Sequence, residues 1–207
     1  MNNRALLDIR ADGSDKISYV HNGARGLTTV PLDSELFTKR KIFIDGTIDD
    51  DMANEFMKQL IHLNESNEPI SIYINSCGGE VNAGLLMYDQ ITMCKAPLEM
   101  YCTGQAASMA AILFAAGAKG HRHILPHSRV MIHEVLLGSS LGGSATSISK
   151  ISSSIMEVRN LVNSLLAAHT GKTIEEINDA TSFDNIMNAE EAVEFGIADN
   201  VTYNFFD

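Results

Sequence analysis

Two spacings of apolar residues follow one another through the middle of the chain. Short apolar runs at Arg40–Asp45, Ile70–Ile74 and Pro97–Thr103 predict three strands. Between them the apolar positions are three or four apart, first at Ile48, Met52, Phe56, Leu60 and Leu63, and then at Val81, Leu85, Tyr88 and Ile91. That spacing is typical of amphipathic helices. The alternation of strand and helix predicts an α/β fold with parallel strands.

The flanking regions add one strand and one long helix. Ser128–His133 predicts a further strand, which ends in a histidine, and Ala145–Thr170 predicts a helix that stops at Gly171. Apolar residues in that helix form a stripe, the helix seam, at Ile148, Ile151, Ile155, Val158, Val162 and Leu165. The spacing suits packing on its own core or on another subunit equally well. In residues 1–40 only Lys16–His21 predicts a strand, within an arm or hairpin.

Composition narrows the class of protein. The 207 residues are 45% hydrophobic and 20% charged without a long apolar run, which predicts one soluble globular domain with no membrane span. The charged N-terminus lacks the apolar core of a signal peptide. Three cysteines (Cys77, Cys94 and Cys102) lack metal-type spacing and predict a reducing cytoplasm. A formal charge of −11 argues against nucleic acid and anionic membranes as partners.

The stretch from Tyr101 to Gly117 carries the first candidate for chemistry. It predicts a strand end, a turn at Gly104, and then a helix of small and aliphatic residues. Ser108 falls in the first turn of that helix, where unpaired backbone N–H groups favour a developing oxyanion. A capping serine is an equally ordinary occupant of this position. The stretch alone therefore leaves a cap and a nucleophile as alternatives.

Other candidate residues lie before and after this serine. Gly78 and Gly79 connect a strand to a helix, and paired glycines can turn backbone N–H groups toward a carbonyl or an anion. His133 and Ser108 both follow strands, so they can meet at one edge of a sheet as a base and a nucleophile. Asp184 alone is typical of a turn residue. His121, His123 and His127 lack an acidic or thiol partner nearby in the sequence, which argues against a metal site.

Four ordered blocks resemble the signature of the Clp protease proteolytic subunits, over a match from about Lys41 to Val201. They are Asn75–Gly79, Gly104–Met109, Ser128–His133, and Ala189–Ala192 with Gly196. The resemblance implies a crotonase-like stack of β–β–α units with a protruding handle helix at about 145–170. It implies a single protease domain over residues 41–207 and a divergent axial region over residues 1–40.

The resemblance also implies roles for individual residues. Ser108 would be the nucleophile, His133 the general base and Asp184 the third member of the triad. The oxyanion hole would be formed by Gly79 and Met109, and substrate would lie along Gly78, Glu80, Val81 and Leu136. The implied protein is a serine peptidase that needs neither ATP, cofactor nor metal. It would form two stacked heptameric rings and degrade unfolded chains delivered by an AAA+ unfoldase.

Several positions depart from the family pattern. Cys77 replaces a usual proline, Glu134–Val135 replaces Gln–Pro, the loop Gly138–Gly143 is longer than usual, and residues 1–40 differ from the usual axial region. These departures leave two alternatives open. One is a catalytically weak regulatory or structural subunit of a mixed ring with a paralogue, and the other is a phage-type capsid-maturation protease. Acyl-CoA chemistry on the same fold is disfavoured, because a Ser–His–Asp set has no role there.

Overall fold

The computed structural model describes residues 6–8, 18–23, 26–136 and 143–204. The chain divides into two compact units, residues 1–42 and residues 43–207. The predicted loop Gly138–Gly143 lies outside the described residues except for Gly143.

The first unit contains an antiparallel sheet and one helix. Strands β1 (Leu6–Asp8), β2 (Ser18–Gly23) and β3 (Gly26–Pro31) pair in that order, and α1 (Leu32–Thr38) follows directly. The predicted strand at Lys16–His21 corresponds to β2, and its antiparallel pairing with β3 forms a hairpin as predicted, whereas β1, β3 and α1 were not predicted. Helix α1 has only 7 residues, too few for its apolar residues Leu32, Leu36 and Phe37 to form a clear repeat. Its sequence signals are the preceding Pro31 and an acidic first turn.

The second unit is built on a mostly parallel sheet in the order β10-β7-β6-β5-β4, with β8 paired to β6 and to β9. Its strands are β4 (Lys41–Ile48), β5 (Ile70–Gly79), β6 (Leu98–Ala107), β7 (Arg122–Ile124), β8 (Arg129–Ile132), β9 (Asn185–Met187) and β10 (Asn200–Val201). Its helices are α2 (Asp50–Leu63), α3 (Val81–Met93), α4 (Met109–Ala115), α5 (Ala145–Thr170), α6 (Ile174–Thr181) and α7 (Ala189–Phe195). The predicted α/β architecture is confirmed.

Helix α5 has two unlike halves. Val162, Asn163, Leu166 and Thr170 are buried, whereas no residue from Ala145 to Leu161 is buried. The buried half is fixed by the Asn163 amide, whose Nδ2 donates to Asn178 Oδ1 at 2.8 Å and to Thr181 Oγ1 at 3.2 Å. The helix therefore begins outside the body of its unit and ends inside it, as predicted for a protruding handle.

The strands that lead to the glycine-rich segments are longer than predicted. Strand β6 continues through Gly104 to Ala107, so the predicted turn at Gly104 was wrong. A Cβ at Gly104 would lie 2.4 Å from Asn75 Oδ1, which accepts a hydrogen bond from the Gln105 N–H. Gly104 is therefore required by the close approach of a neighbouring strand and not by a turn.

A buried ion pair joins the end of the sheet to the helices. The Arg122 side chain is 1% exposed, and its Nη2 and Nε lie 2.6 and 2.9 Å from the Asp199 carboxylate. Arg122 Nη1 also donates to the His169 carbonyl at 3.2 Å. Burial alone would raise the pKa of Asp199, but the Arg122 guanidinium outweighs it and lowers that pKa. The pair thus ties β7, β10 and the end of α5 together.

The expectation that His121, His123 and His127 lack an acidic neighbour was wrong for His121 and His123. Glu99, on the neighbouring strand, lies between His121 and His123, with one carboxylate oxygen 2.7 Å from His121 Nδ1 and the other 2.8 Å from His123 Nε2. The acidic partner was missed because it is distant in sequence. Among the described residues no group of three or more His, Cys, Asp or Glu side chains is arranged to hold a metal ion. None of the described helices is long and apolar enough to cross a membrane.

Candidate active site

Ser108 occupies the sharp junction between β6 and α4. Its φ of 55° and ψ of −124° are strained for a residue with a side chain. The Ser108 N–H donates to the Met131 carbonyl at 2.8 Å, so the neighbouring strand β8 supports this conformation. Although Ser108 is at the N-cap position of α4, its side chain makes no capping hydrogen bond. Capping therefore does not account for this serine.

The Ser108 hydroxyl contacts His133 instead. His133 Nε2 lies 2.8 Å from Ser108 Oγ, which is hydrogen-bonding distance. The contact follows from the sheet, because β8 pairs in parallel with β6 and places Met131 opposite Ala107. Both strands end at the same edge, one residue before Ser108 and one before His133. With the imidazole proton on Nδ1, the hydroxyl donates to Nε2 and a base stands beside a nucleophile.

Asp184 lies close to His133 but is not hydrogen-bonded to it. The antiparallel pairing of β9 with β8 sets Ile132 opposite Asn185 and so brings the preceding Asp184 near the imidazole. Asp184 Oδ1 is 3.8 Å from His133 Nδ1, and its side chain is 72% exposed. Because the carboxylate faces solvent, its attraction to an imidazolium is screened.

Two glycines at the end of β5 allow a close approach to the serine. Gly78 has a φ of 86°, and a Cβ there would lie 2.7 Å from the Ser108 Cβ. A Cβ at Gly79 would lie 2.0 Å from the Ile48 carbonyl oxygen. The turn is fixed by Ser76 Oγ, which accepts from the Gly78 N–H at 3.0 Å and donates to the Gly46 carbonyl at 2.6 Å. Neither glycine leaves room for a side chain.

Two adjoining cavities open beside this junction. The first, of ≈ 270 Å³, contains Ser108, His133, Gly79 and Met109 among its lining residues, and its apolar wall includes Ile112, Val162 and Leu166. The second, of ≈ 540 Å³, is lined in part by Glu80, Asp49 and Ile155. Gly79, Val81, Val135 and Leu136 line both. The predicted substrate residues Glu80, Val81 and Leu136 thus face one groove, whereas Gly78 is buried beside it.

Neither Cys77 nor Cys102 is placed to act as a nucleophile. Cys77 is exposed in the first cavity, and its Sγ has Thr47 Oγ1 and the Gly46 and Gly78 carbonyls as neighbours at 3.8–4.0 Å, none of which is a base. Burial raises the pKa of the Cys102 thiol to about 12. Cys102 is therefore uncharged at neutral pH and unreactive.

Sequence reasoning missed the contribution of α5 to this site. Val162 and Leu166 are four apart in the sequence and could have been assigned to one face, but nothing indicated what that face contacts. It also missed Arg159, whose Nε lies 2.7 Å from Glu134 Oε1. A contact between residues so far apart in sequence has no local pattern.

A comparison with protein families identifies the family of the chain. The family model described as Clp protease matches residues 24–204. The match begins well before Lys41, so the expectation that residues 24–40 fall outside the family resemblance was wrong. Since the match covers far more than half of the chain, the protein belongs to the Clp protease family and is a peptidase of that type.

Proposed function

We propose that the chain is an ATP-independent serine endopeptidase in which Ser108 is the nucleophile and His133 the general base. The hydrogen bond of 2.8 Å between Ser108 Oγ and His133 Nε2 carries the proposal. Ser108 Oγ attacks the scissile carbonyl carbon, and its proton passes to His133 Nε2. This attack forms the C–O bond and leaves an oxyanion on the former carbonyl oxygen. Collapse of this intermediate breaks the C–N bond, and His133 protonates the departing amine. Water then cleaves the acyl-enzyme by the same route.

The oxyanion is held by the main-chain N–H groups of Gly79 and Met109. Two observations support these roles: both residues line the cavity that contains Ser108, and Met109 follows the nucleophile directly. Rigid donors aimed at a developing charge contribute strongly because they need no reorganisation during the reaction. The steric fit of Gly78 against Ser108 supports a fixed position for the neighbouring Gly79 amide.

Asp184 is the third member of the proposed triad. Its charge stabilises the imidazolium only weakly, because its carboxylate is 3.8 Å from Nδ1 and exposed. The same observation favours a second candidate function, a weakly active regulatory or structural subunit that forms a ring with an active paralogue. The two candidates differ in the turnover of the purified chain alone.

The substrates proposed are unfolded polypeptides with an apolar residue at the cleavage point. The wall of the first cavity formed by Ile112, Val162 and Leu166 suits an apolar side chain. The second cavity extends the groove along Val81 and Leu136 and suits an extended chain. No cofactor takes part in the proposed reaction.

We expect His133→Ala to reduce kcat for a fluorogenic peptide with a leucine at the cleavage point by about 10³-fold or more, because the serine then loses its base. The assay uses the purified full-length chain. His127→Ala, which alters a histidine outside both cavities, should retain full turnover. Equal turnover by wild type and His133→Ala would refute the proposed general base.

The proposed assembly is a pair of stacked heptameric rings, or a mixed ring with a paralogue, supplied with unfolded chains by an AAA+ unfoldase. The first half of α5 supports this proposal, because Ile148 there is exposed and Ile151 and Ile155 are only partly buried within the described part of the subunit. Contact between the handles of two rings would bury them. The proposed location is the cytoplasm, which suits three cysteines that are all free.

Breaking the helix seam tests the assembly. The double variant Ile151→Asp, Ile155→Asp should give single rings in analytical ultracentrifugation, because four carboxylates per facing pair of handles would have to be buried together. The matched variant Ser152→Asp, Ser153→Asp changes exposed residues of the same helix and should keep the double ring. Double rings in both variants would contradict the role given to α5.

A further inference from the structure

The segment that carries His133 leaves the sheet just before the histidine. Strand β8 ends at Ile132, and residues 133–136 make no main-chain hydrogen bond to any other described residue. The orientation of His133 therefore depends on contacts of the side chains in this segment. One is the hydrogen bond to Ser108, and Asp184, at 3.8 Å and exposed, adds little.

Glu134 supplies a second attachment. Its Oε1 lies 2.7 Å from Arg159 Nε, although the N–H is not directed at that oxygen, so the contact is an ion pair without a well-formed hydrogen bond. The Arg159 side chain is largely buried, and Glu134 is about half exposed. The pair is less screened by solvent than a fully exposed one.

Arg159 lies on α5 just before the buried half of that helix. Val162, Asn163 and Leu166 follow it at three, four and seven positions, which puts them on the same face of the helix. Asn163 is buried and bonded to α6, while Val162 and Leu166 form the wall of the Ser108 cavity. The helix face that shapes the cavity therefore also holds the cation that attracts Glu134.

We propose that Arg159 is a positioning residue that acts through Glu134 to hold His133 in line with Ser108. The ion pair between Glu134 and Arg159, here called the tether, does not depend on the proposed function. Its effect on catalysis does rest on that function. Loss of the ion pair would let residues 133–136 move and lower the fraction of molecules with a closed Ser108–His133 contact. A small misplacement of a catalytic group lowers kcat more than it weakens substrate binding.

The test compares wild type with Glu134→Gln, Arg159→Met and the exchanged pair Glu134→Arg, Arg159→Glu, all as full-length chains of verified ring size. We expect each single variant to lower kcat about tenfold with KM within about twofold. Freeing this segment should also let the end of β8 open, so amide hydrogen exchange at residues 130–132 should be faster in the single variants. In the exchanged pair, kcat and the amide exchange rate should both return toward their wild-type values. Glu55→Gln, which removes the exposed pair of Glu55 with Lys58, is the matched control and should change neither.

Each outcome separates the tether from the chemistry. Unchanged exchange at residues 130–132 in both single variants overturns the tether. Faster exchange with unchanged kcat overturns the positioning role. A rise in KM alone would assign the ion pair to substrate binding and would also overturn the positioning role. If wild type has no turnover and no reactive serine, the proposed function fails, and the exchange rates still decide whether the tether exists.

Discussion

Replacing Ser108 by alanine should abolish peptide hydrolysis, with kcat lowered by about 10⁴-fold or more. Alanine removes the hydroxyl oxygen that lies 2.8 Å from His133 Nε2 and leaves the surrounding backbone in place. Ring size in analytical ultracentrifugation should match wild type, because the Ser108 hydroxyl caps no helix. Initial rates with a fluorogenic peptide measure the effect. Turnover near the wild-type value would overturn the assignment of the nucleophile.

A glycine at the same position is a second control for folding. The φ of 55° and ψ of −124° at Ser108 suit glycine better than any residue with a Cβ. Ser108→Gly should be as inactive as Ser108→Ala. Its free energy of unfolding, measured with urea, should be about 1 kcal/mol higher than that of Ser108→Ala. Greater stability of the glycine variant would mean that the junction is strained when residue 108 carries a Cβ. Equal stability of the two variants would mean that the junction is not strained.

Replacing Arg122 by methionine should lower the free energy of unfolding by about 3 kcal/mol, because it leaves the Asp199 carboxylate partly buried without its partner. Urea denaturation at a fixed protein concentration measures this loss. Lys58→Met, which removes one member of an exposed ion pair, should cost no more than about 0.5 kcal/mol. A double variant, Arg122→Met with Asp199→Leu, should be more stable than Arg122→Met alone.

The same pair predicts a direction for pH dependence. The pKa of Asp199 is lower in the folded protein than its ordinary value of 3.8. Its contribution to stability is therefore complete above that ordinary value and is lost as the pH falls through the folded pKa. The stability difference between wild type and Arg122→Met should narrow as the pH is lowered from neutral below 3.8. A difference that widens under acid would contradict the role of this ion pair.

The elements with strong local signals could be predicted from the sequence. Helix α5 has the predicted bounds because its apolar spacing is regular and Gly171 adopts the left-handed conformation that ends it. Helix α2 contains the predicted apolar positions from Met52 to Leu63, and Asp49 Oδ1 accepts a hydrogen bond from the Met52 N–H at its start. The meeting of Ser108 and His133 followed from two strands ending at one edge of a parallel sheet.

Other features depend on contacts that no local pattern records. Gly104 was assigned to a turn because glycine is common in turns, but its position reflects the Asn75 side chain on the neighbouring strand. Glu99 between two histidines and Arg159 beside Glu134 are likewise contacts between elements distant in sequence. Helix α1 is too short, at 7 residues, for its apolar residues to give a clear periodic signal. In each case the tertiary arrangement decides what the local sequence leaves open.

The central claim, an activated serine at position 108, is tested most directly by intact mass after incubation with a fluorophosphonate. Such a probe reacts with a serine only when a base removes its proton and an oxyanion hole holds the phosphoryl oxygen. The account predicts one adduct per chain in the wild type and none in Ser108→Ala. An unlabelled wild type in correctly assembled rings, or the same adduct in both proteins, would contradict it.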